Sequence, residues 1–524
     1  MILNKKSNYF LTFLVIFIIF IISNIERSES KEKGFYSKSY FGSILSGQIA
    51  NYNNDTENAA DFFNYANQLN PKNAQIYNLS LMSLLLNGKI DEAIKKVKDF
   101  KKFHDQSNSS KSQAAVAELL LFIDSVNKND EFTALNILNN EKDIIVSKTL
   151  FPILKSWLSE DYKSAKNNLD QYKYKSQGLA LSELYFYHLA LIANFHGKKQ
   201  ISFDSFNQAL KNLNEDKIRT LYFYSNFLKE NKEFEDNEKY IQKFINKNSS
   251  HSFVIYLQNQ AKDSFLLKSP KEGVSETMYN LAENLYNQGL YDTSIIFSQI
   301  SLFLNDKNDI AKYLLAQNFQ LLNKQDKAIN ALKSIKLTSY LGWNTYLKIS
   351  DLYLDIQNYE NAKQHLLELK NYKDNRVDIY YKIGELYHSK KDYVKAIKAF
   401  TIGIELIKKS DKANWYIYYS RGMAYERSNK WKKAEQDFLY ALKLFPDQPL
   451  VLNYLGYSWI DLGKNLEKAK KLIKKAVELR PNDGYFIDSL GWAYYRLGNY
   501  KEAVLKLEKA VTLVPNDPII NEDR

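Results

Sequence analysis

The sequence predicts an all-α protein, an α-solenoid of about thirteen antiparallel helix pairs preceded by an N-terminal hydrophobic signal segment. Three observations carry this. Gly422, Gly456 and Gly491 recur at intervals of 34 and 35 residues, Ala434, Ala469 and Ala503 at 35 and 34, and Pro446, Pro481 and Pro515 at 35 and 34. Within each unit the apolar residues return three and four apart over two stretches of about a dozen residues, the pattern of two amphipathic helices joined by a short turn. Finally, 45% apolar and 14% aromatic residues in a chain of 524 exclude a disordered protein.

The elements follow in chain order. Lys5 and Lys6 precede an apolar run from Phe10 to Ile22, broken only by Thr12, and a polar stretch from Ser23 to Lys33 follows. This is the layout of a secretory signal over residues 1–30. The run is short for a bilayer, which favours cleavage, yet Ser28 and Ser30 flank Glu29 where small residues are wanted, so an uncleaved anchor is the alternative. In both cases the lysines stay inside and the array is exported, giving a periplasmic protein that touches membrane only through its N-terminal segment. The remaining alternative, a helix packed on the protein's own core, would normally show a polar face, which Phe10–Ile22 lacks.

An N-terminal array is expected over 34–250. Unit 40–73 carries Gly47, Ala59, Phe63, Ala66 and Pro71; unit 74–107 carries Tyr77, Gly88 and Ala93. Four degenerate hairpins follow near 113–142, 146–173, 182–213 and 217–248. Residues 251–274, with Ser269, Pro270 and Gly273, form a non-repeating stretch that reads either as a hinge or as a long loop within one solenoid. A C-terminal array over 275–517 comprises units 275–308, 309–342, 343–376, 377–410, 415–448, 449–483 and 484–517, with a short tail at 518–524.

Unit 415–448 shows why the spacing recurs. A turn near Ser428 and Asn429 brings Gly422 towards Ala434, so the two helix axes approach, with Tyr425 and Phe438 beside them. Pro446 ends the second helix. The same fold-back sets Arg421 opposite Asp437 as a structural ion pair. In the last helix Val504, Leu505, Leu507, Val511 and Leu513 include side chains without a following hairpin to cover them, an end expected to self-associate or dock a partner.

With their small residue, aromatic, Ala, Phe, Ala and Pro at these intervals, the units resemble tetratricopeptide repeats, and the chain is similar to exported repeat arrays of Gram-negative bacteria. The resemblance implies a superhelix whose concave groove is lined by the first helix of each unit and takes a protein or peptide segment. It also implies that the second, fifth, ninth, twelfth and thirteenth residues of each repeat face the ligand. Carried onto this sequence, those positions give a candidate partner-binding set of Tyr381, Glu385, Tyr416, Tyr419, Met423, Arg427, Tyr457, Asp488, Trp492 and Arg496. The family's clamp for acidic C-terminal tails wants Lys and Asn at the fifth and ninth positions. Tyr, Glu, Met, Asn, Asp and Trp stand there instead, so an apolar or aromatic-bearing segment is the expected ligand. The alternative is that these aromatics only pack against the neighbouring repeat.

Chemistry is not expected. With no cysteine there is no disulfide, thiolate nucleophile or Cys-type metal site. The six histidines lack metal-ligand spacing, although His188 and His196 could share a helix face, and no phosphate loop or nucleophile elbow occurs. No catalytic residue, metal or cofactor is assigned, and the protein is read as a non-enzymatic scaffold of the cell envelope. An accessory role in polysaccharide export or modification is the alternative; a repeat-containing glycosyltransferase would need a catalytic domain for which the hairpins leave no room. The net charge of +12 comes largely from lysine spread along the chain. Lys95, Lys96, Lys98, Lys101 and Lys102 read as a solvated helix face, so no nucleic-acid partner is expected.

Overall fold

The structure is a computed structural model that describes residues 39–53, 55–71, 73–103, 111–140, 150–175, 179–211, 217–248, 251–258, 265–407, 412–515 and 517–518. The expected signal at 1–30 lies outside these residues. The described residues form 27 α-helices and two 3-10 turns, with no strand, and they divide into two compact units at Asn87 and Gly88.

The first unit holds α1 (Tyr40–Tyr52), α2 (Thr56–Leu69) and α3 (Ala74–Leu86). Each helix starts on a side-chain cap: Ser39 accepts from the Gly42 N–H, Asp55 from Asn58, and Asn73 from Gln75 and Ile76. A Cβ at Gly47 would stand 2.7 Å from the Phe63 ring, so the absence of a side chain on α1 is what admits the Phe of α2.

The second unit continues with α4 (Ile90–Phe103), α5 (Lys111–Asn127), α6 (Glu131–Asn140), α7 (Phe151–Trp157), α8 (Tyr162–Lys175), α9 (Leu179–Phe195), α10 (Lys199–Ala209), α11 (Ile218–Glu230), α12 (Lys239–Lys247) and α13 (Ser252–Gln258). It then runs through α14 (Pro270–Asn287), α15 (Tyr291–Leu304), α16 (Asp309–Leu321), α17 (Gln325–Leu332), α18 (Gly342–Asp355), α19 (Tyr359–Tyr372), α20 (Val377–Ser389) and α21 (Tyr393–Glu405). The last helices are α22 (Trp415–Arg427), α23 (Trp431–Leu444), α24 (Pro449–Asp461), α25 (Leu466–Leu479), α26 (Gly484–Arg496) and α27 (Tyr500–Leu513). The degenerate stretches expected as hairpins are the pairs α5/α6, α7/α8, α9/α10 and α11/α12.

Residues 269–274 differ from the reading as a hinge or loop. Ser269 is extended and its hydroxyl accepts from the Glu272 N–H, while Pro270 is the first residue of α14, where its missing N–H costs nothing. Gly273 lies inside the helix, where a Cβ would come within 1.9 Å of the Trp157 ring. Residues that look like chain breakers are here a cap, a helix start and a close helix contact.

A buried polar network joins helices from both sides of this stretch. Glu276 on α14 is 1% exposed. Its carboxylate accepts from Arg219 Nη2 at 2.6 Å and Nε at 3.1 Å, and from the Tyr187 hydroxyl at 2.6 Å. Arg219 also donates to the Tyr340 hydroxyl (2.8 Å) and to Asn308 Oδ1 (3.1 Å). Beside it, His188 Nδ1 accepts from the Trp157 indole N–H at 3.2 Å and Nε2 lies 2.9 Å from Asn280 Oδ1. Burial pushes the His188 imidazole down to about 4, so the ring is neutral.

The hairpin turns share one backbone device. Gly289, Asn323, Gln357, Lys391, Asn429, Gly463 and Gly498 all have φ between +56° and +78°. Only Gly, and less readily Asn, adopts this left-handed conformation without strain.

Candidate functional site

The contact pattern separates the first helices of the C-terminal hairpins from the second. Successive first helices meet, as in α18 with α20, α20 with α22 and α24 with α26, and no successive second helices approach to that extent among the described residues. The first helices therefore form the inner wall. Glycine sets the depth of each hairpin: a Cβ on Gly384 would lie 2.3 Å from Phe400, on Gly422 2.6 Å from Phe438, and on Gly491 2.8 Å from Leu507. Gly422 thus meets Phe438 directly. The expected Arg421–Asp437 pair forms with Nε and Nη2 both donating at 2.8 Å.

The two walls differ in composition. Helices α20, α22, α24 and α26 carry one lysine, Lys382, and fifteen Tyr or Trp; their partners α21, α23, α25 and α27 carry thirteen lysines and four Tyr or Trp. In a chain with lysine almost everywhere, the inner wall is a lysine-poor aromatic surface.

The ten candidate residues fall into two groups. Tyr381 lies edge-on to Tyr416 at 4.6 Å and 5.9 Å from Phe400, and burial followed by the Glu385 charge pushes its hydroxyl well above the usual range. Burial also raises Tyr416. Glu385 accepts from Lys382 at 2.8 Å, and Lys382 pairs with Asp351 at the same distance. Tyr419 sits edge-on to Tyr454 at 5.7 Å, and burial pushes it up to about 12. Met423 packs against the same core cluster. These five side chains are half-buried between hairpins. Tyr454, which the repeat positions do not mark, completes the cluster by packing on Phe438 at 5.3 Å and donating to Glu426 at 3.2 Å.

The second group is more accessible. Arg427 and Tyr457 are exposed, Tyr457 at 41%. Trp492 stacks on Tyr495 at 5.2 Å and 18°, and the Arg496 guanidinium lies 5.9 Å from the Trp492 ring centre while Nη1 reaches the Asp461 carbonyl at 3.4 Å. Asp488, one turn before Trp492, is buried. Two polar atoms in this region, Asn453 Oδ1 on α24 and Trp492 Nε1 on α26, are buried without a protein hydrogen-bond partner. His188 and His196 do not converge on a site, since His188 belongs to the buried network and His196 packs edge-on to Tyr162 at 6.2 Å. No helix among the described residues is long and apolar enough to cross a membrane.

The tetratricopeptide repeat family matches at residues 377–409, 415–448 and 486–517. A TPR repeat-containing protein of Pseudomonas aeruginosa is 28% identical over 174 residues, covering 33% of this chain and 29% of that protein. The chain spans less than half the length of the curated relatives it matches. Among solved structures, a tetratricopeptide repeat protein from Parabacteroides merdae aligns over 48% of this chain and 96% of its own with 16% identity and a TM-score of 0.39. The Cut9–Hcn1 hetero-tetramer of the APC/C aligns over 93% and 96% with 12% identity and a TM-score of 0.41. The family matches fall on hairpins that share a close approach of a first-helix glycine to a large side chain of the second helix and a left-handed turn, and those hairpins are tetratricopeptide repeats.

Proposed function

We propose that the chain is a non-enzymatic scaffold of the cell envelope that holds a segment of a partner protein against the first helices of its C-terminal hairpins. One observation carries the reading: the inner wall is nearly free of lysine and crowded with Tyr and Trp, whereas the outer wall of the same hairpins is lysine-rich. Tyr, Trp and Arg give the largest binding contributions per residue, because they bury wide apolar surface and still offer a polar tip. Tyr457, Tyr495 and Trp492 supply that surface, and Arg427 and Arg496 favour a carboxylate beside it. The half-buried cluster around Tyr381, Tyr416 and Tyr419 holds neighbouring hairpins at the spacing the groove requires. Export rests on the Lys5, Lys6 and Phe10–Ile22 pattern.

A photo-crosslinking residue placed at Tyr457 in intact cells should give a discrete adduct that the same residue at Lys471, on the outer face of α25, does not. Equal adduct patterns at the two sites, or none at Tyr457, would refute groove binding. A reporter that is active only outside the cytoplasm, fused after Arg524, should be active; a silent reporter removes the envelope reading and leaves the groove untouched.

A further inference from the structure

The first helix of the N-terminal unit has a feature that no groove explains. α1 contains no charged residue. Its inner face buries Ser43, Gly47 and Ala50, while Phe41, Leu45, Ile49 and Tyr52 are 79%, 54%, 38% and 89% exposed. Steps of four, four and three residues put these four side chains in one stripe along the helix, about 16 Å long. A helix that meets only water carries charge on its outer face, and an apolar stripe of this kind marks a contact.

The sequence points to what covers it. Seventeen residues separate α1 from the apolar run ending at Ile22, and fully extended they span at most about 60 Å. Wherever that run is held, α1 is held close by. A stripe with Phe near one end and Tyr at the other suits the boundary between acyl chains and headgroups, where aromatic rings collect. A second copy of the chain fits less well, because one face of a 13-residue helix offers about 200 Å² against the ~800 Å² per partner of a stable interface.

We infer that the Phe41–Leu45–Ile49–Tyr52 stripe lies in the headgroup layer of a lipid bilayer and lays the first hairpin on the membrane surface. This rests on the alternative in which Phe10–Ile22 stays in that membrane as an uncleaved anchor. The chain has no cysteine, so a spin label on the full-length Leu45→Cys variant reports one site, and Glu57→Cys on exposed α2 serves as the water-facing control. In vesicles of phosphatidylcholine and phosphatidylglycerol, the label at 45 should respond severalfold more to oxygen than to a water-soluble nickel chelate, and the label at 57 should respond to the chelate. If the protein floats with the vesicles but both labels meet the chelate alike, the inference fails and membrane entry by the run stands. If the protein does not float at all, both fail. Spin–spin broadening at 45 that grows with protein concentration overturns the inference in favour of a second copy, and shielding at 45 without vesicles overturns it in favour of the chain's own N-terminal residues.

Discussion

Replacing Glu276 with Ala should destabilise the second unit by about 3–5 kcal/mol, the cost of breaking a buried ion pair from one side. The magnitude follows from what remains. Arg219 keeps Tyr340 and Asn308 as hydrogen-bond acceptors but loses its counter-charge, and a guanidinium cannot shed its proton to escape the apolar surroundings. The reverse substitution, Arg219→Met, should cost less. Burial by itself raises the Glu276 pKa, and the Arg219 charge outweighs it to hold the carboxylate below its ordinary range. Without Arg219 the carboxyl can take up a proton, and still bond Tyr187, so the variant relaxes by neutralising itself. The sign with pH follows: the wild-type pair's contribution is fully present above the ordinary carboxylate range and is lost as pH falls through the folded Glu276 value. Arg219→Met should therefore approach wild-type stability on acidification, whereas Glu276→Ala should not. The assay is urea unfolding followed by helical circular dichroism, reading the midpoint of the first transition, because a stacked array need not unfold in one step. Equal midpoint losses for the two variants at neutral pH, or none for Glu276→Ala, would refute the asymmetry.

Three further outcomes are expected. His188, held down at about 4 by burial against an ordinary 6.5, should cost the fold up to about 3 kcal/mol as pH falls from 6.5 to 4, since the unfolded chain takes the proton first; His188→Gln should flatten the pH dependence of the urea midpoint in that window, and an unchanged slope would count against it. Gly273→Ala forces a Cβ into the buried Trp157 ring and should cost about 1–3 kcal/mol, more than Gly197→Ala, where φ is +70° and no atom lies within 4 Å; thermal melting that ranks them the other way would show that α14 shifts freely. Asp437→Ala should lower stability by roughly 2 kcal/mol, a value below the fully buried case because Arg421 is partly exposed, and should leave cross-linking at Tyr457 intact; loss of the adduct would place the pair in binding rather than in packing.

Which parts of this fold were legible from sequence depends on how far apart the partners lie. Gly422 and Phe438 are sixteen residues apart within one hairpin, and the same interval links Gly47 to Phe63 and Gly384 to Phe400, so repetition exposes the contact. The left-handed turn residues carry an equally regular signal in Gly289, Asn323, Asn429, Gly463 and Gly498, interrupted where Gln357 and Lys391 accept the strain. Gly273 could not be read this way. Its partner Trp157 comes from a degenerate hairpin more than a hundred residues earlier, and locally the Ser-Pro and Gly look like breakers. Arg219 and Glu276 are likewise ordinary surface charges until the fold brings them together. The irregular hairpins lose the repeat signature in the region that supplies Tyr187 and Arg219 to this network.

The groove was only half legible, for a different reason. An aromatic ring serves equally to pack a helix interface and to anchor a ligand, so repeat position alone does not separate Tyr419, whose ring is closed against Tyr454, from Tyr457, whose ring meets solvent. Lysine separates the surfaces better. A flexible ammonium is costly to bury and easy to place on a solvated face, so a chain with a strong lysine bias will put lysine wherever water is the only neighbour. Second helices such as α25, with Lys468, Lys471 and Lys474 exposed, follow that rule; α22, α24 and α26 have no lysine at all. Packing accounts for the absence at buried positions. Burial does not account for Leu450, Tyr457, Tyr485 and Tyr495, which stay 37–55% exposed although Tyr495 stacks on Trp492 and Tyr485 donates to Asp517. Those four positions put exposed apolar and aromatic surface on first helices, the helices to which groove binding is assigned under the proposed function.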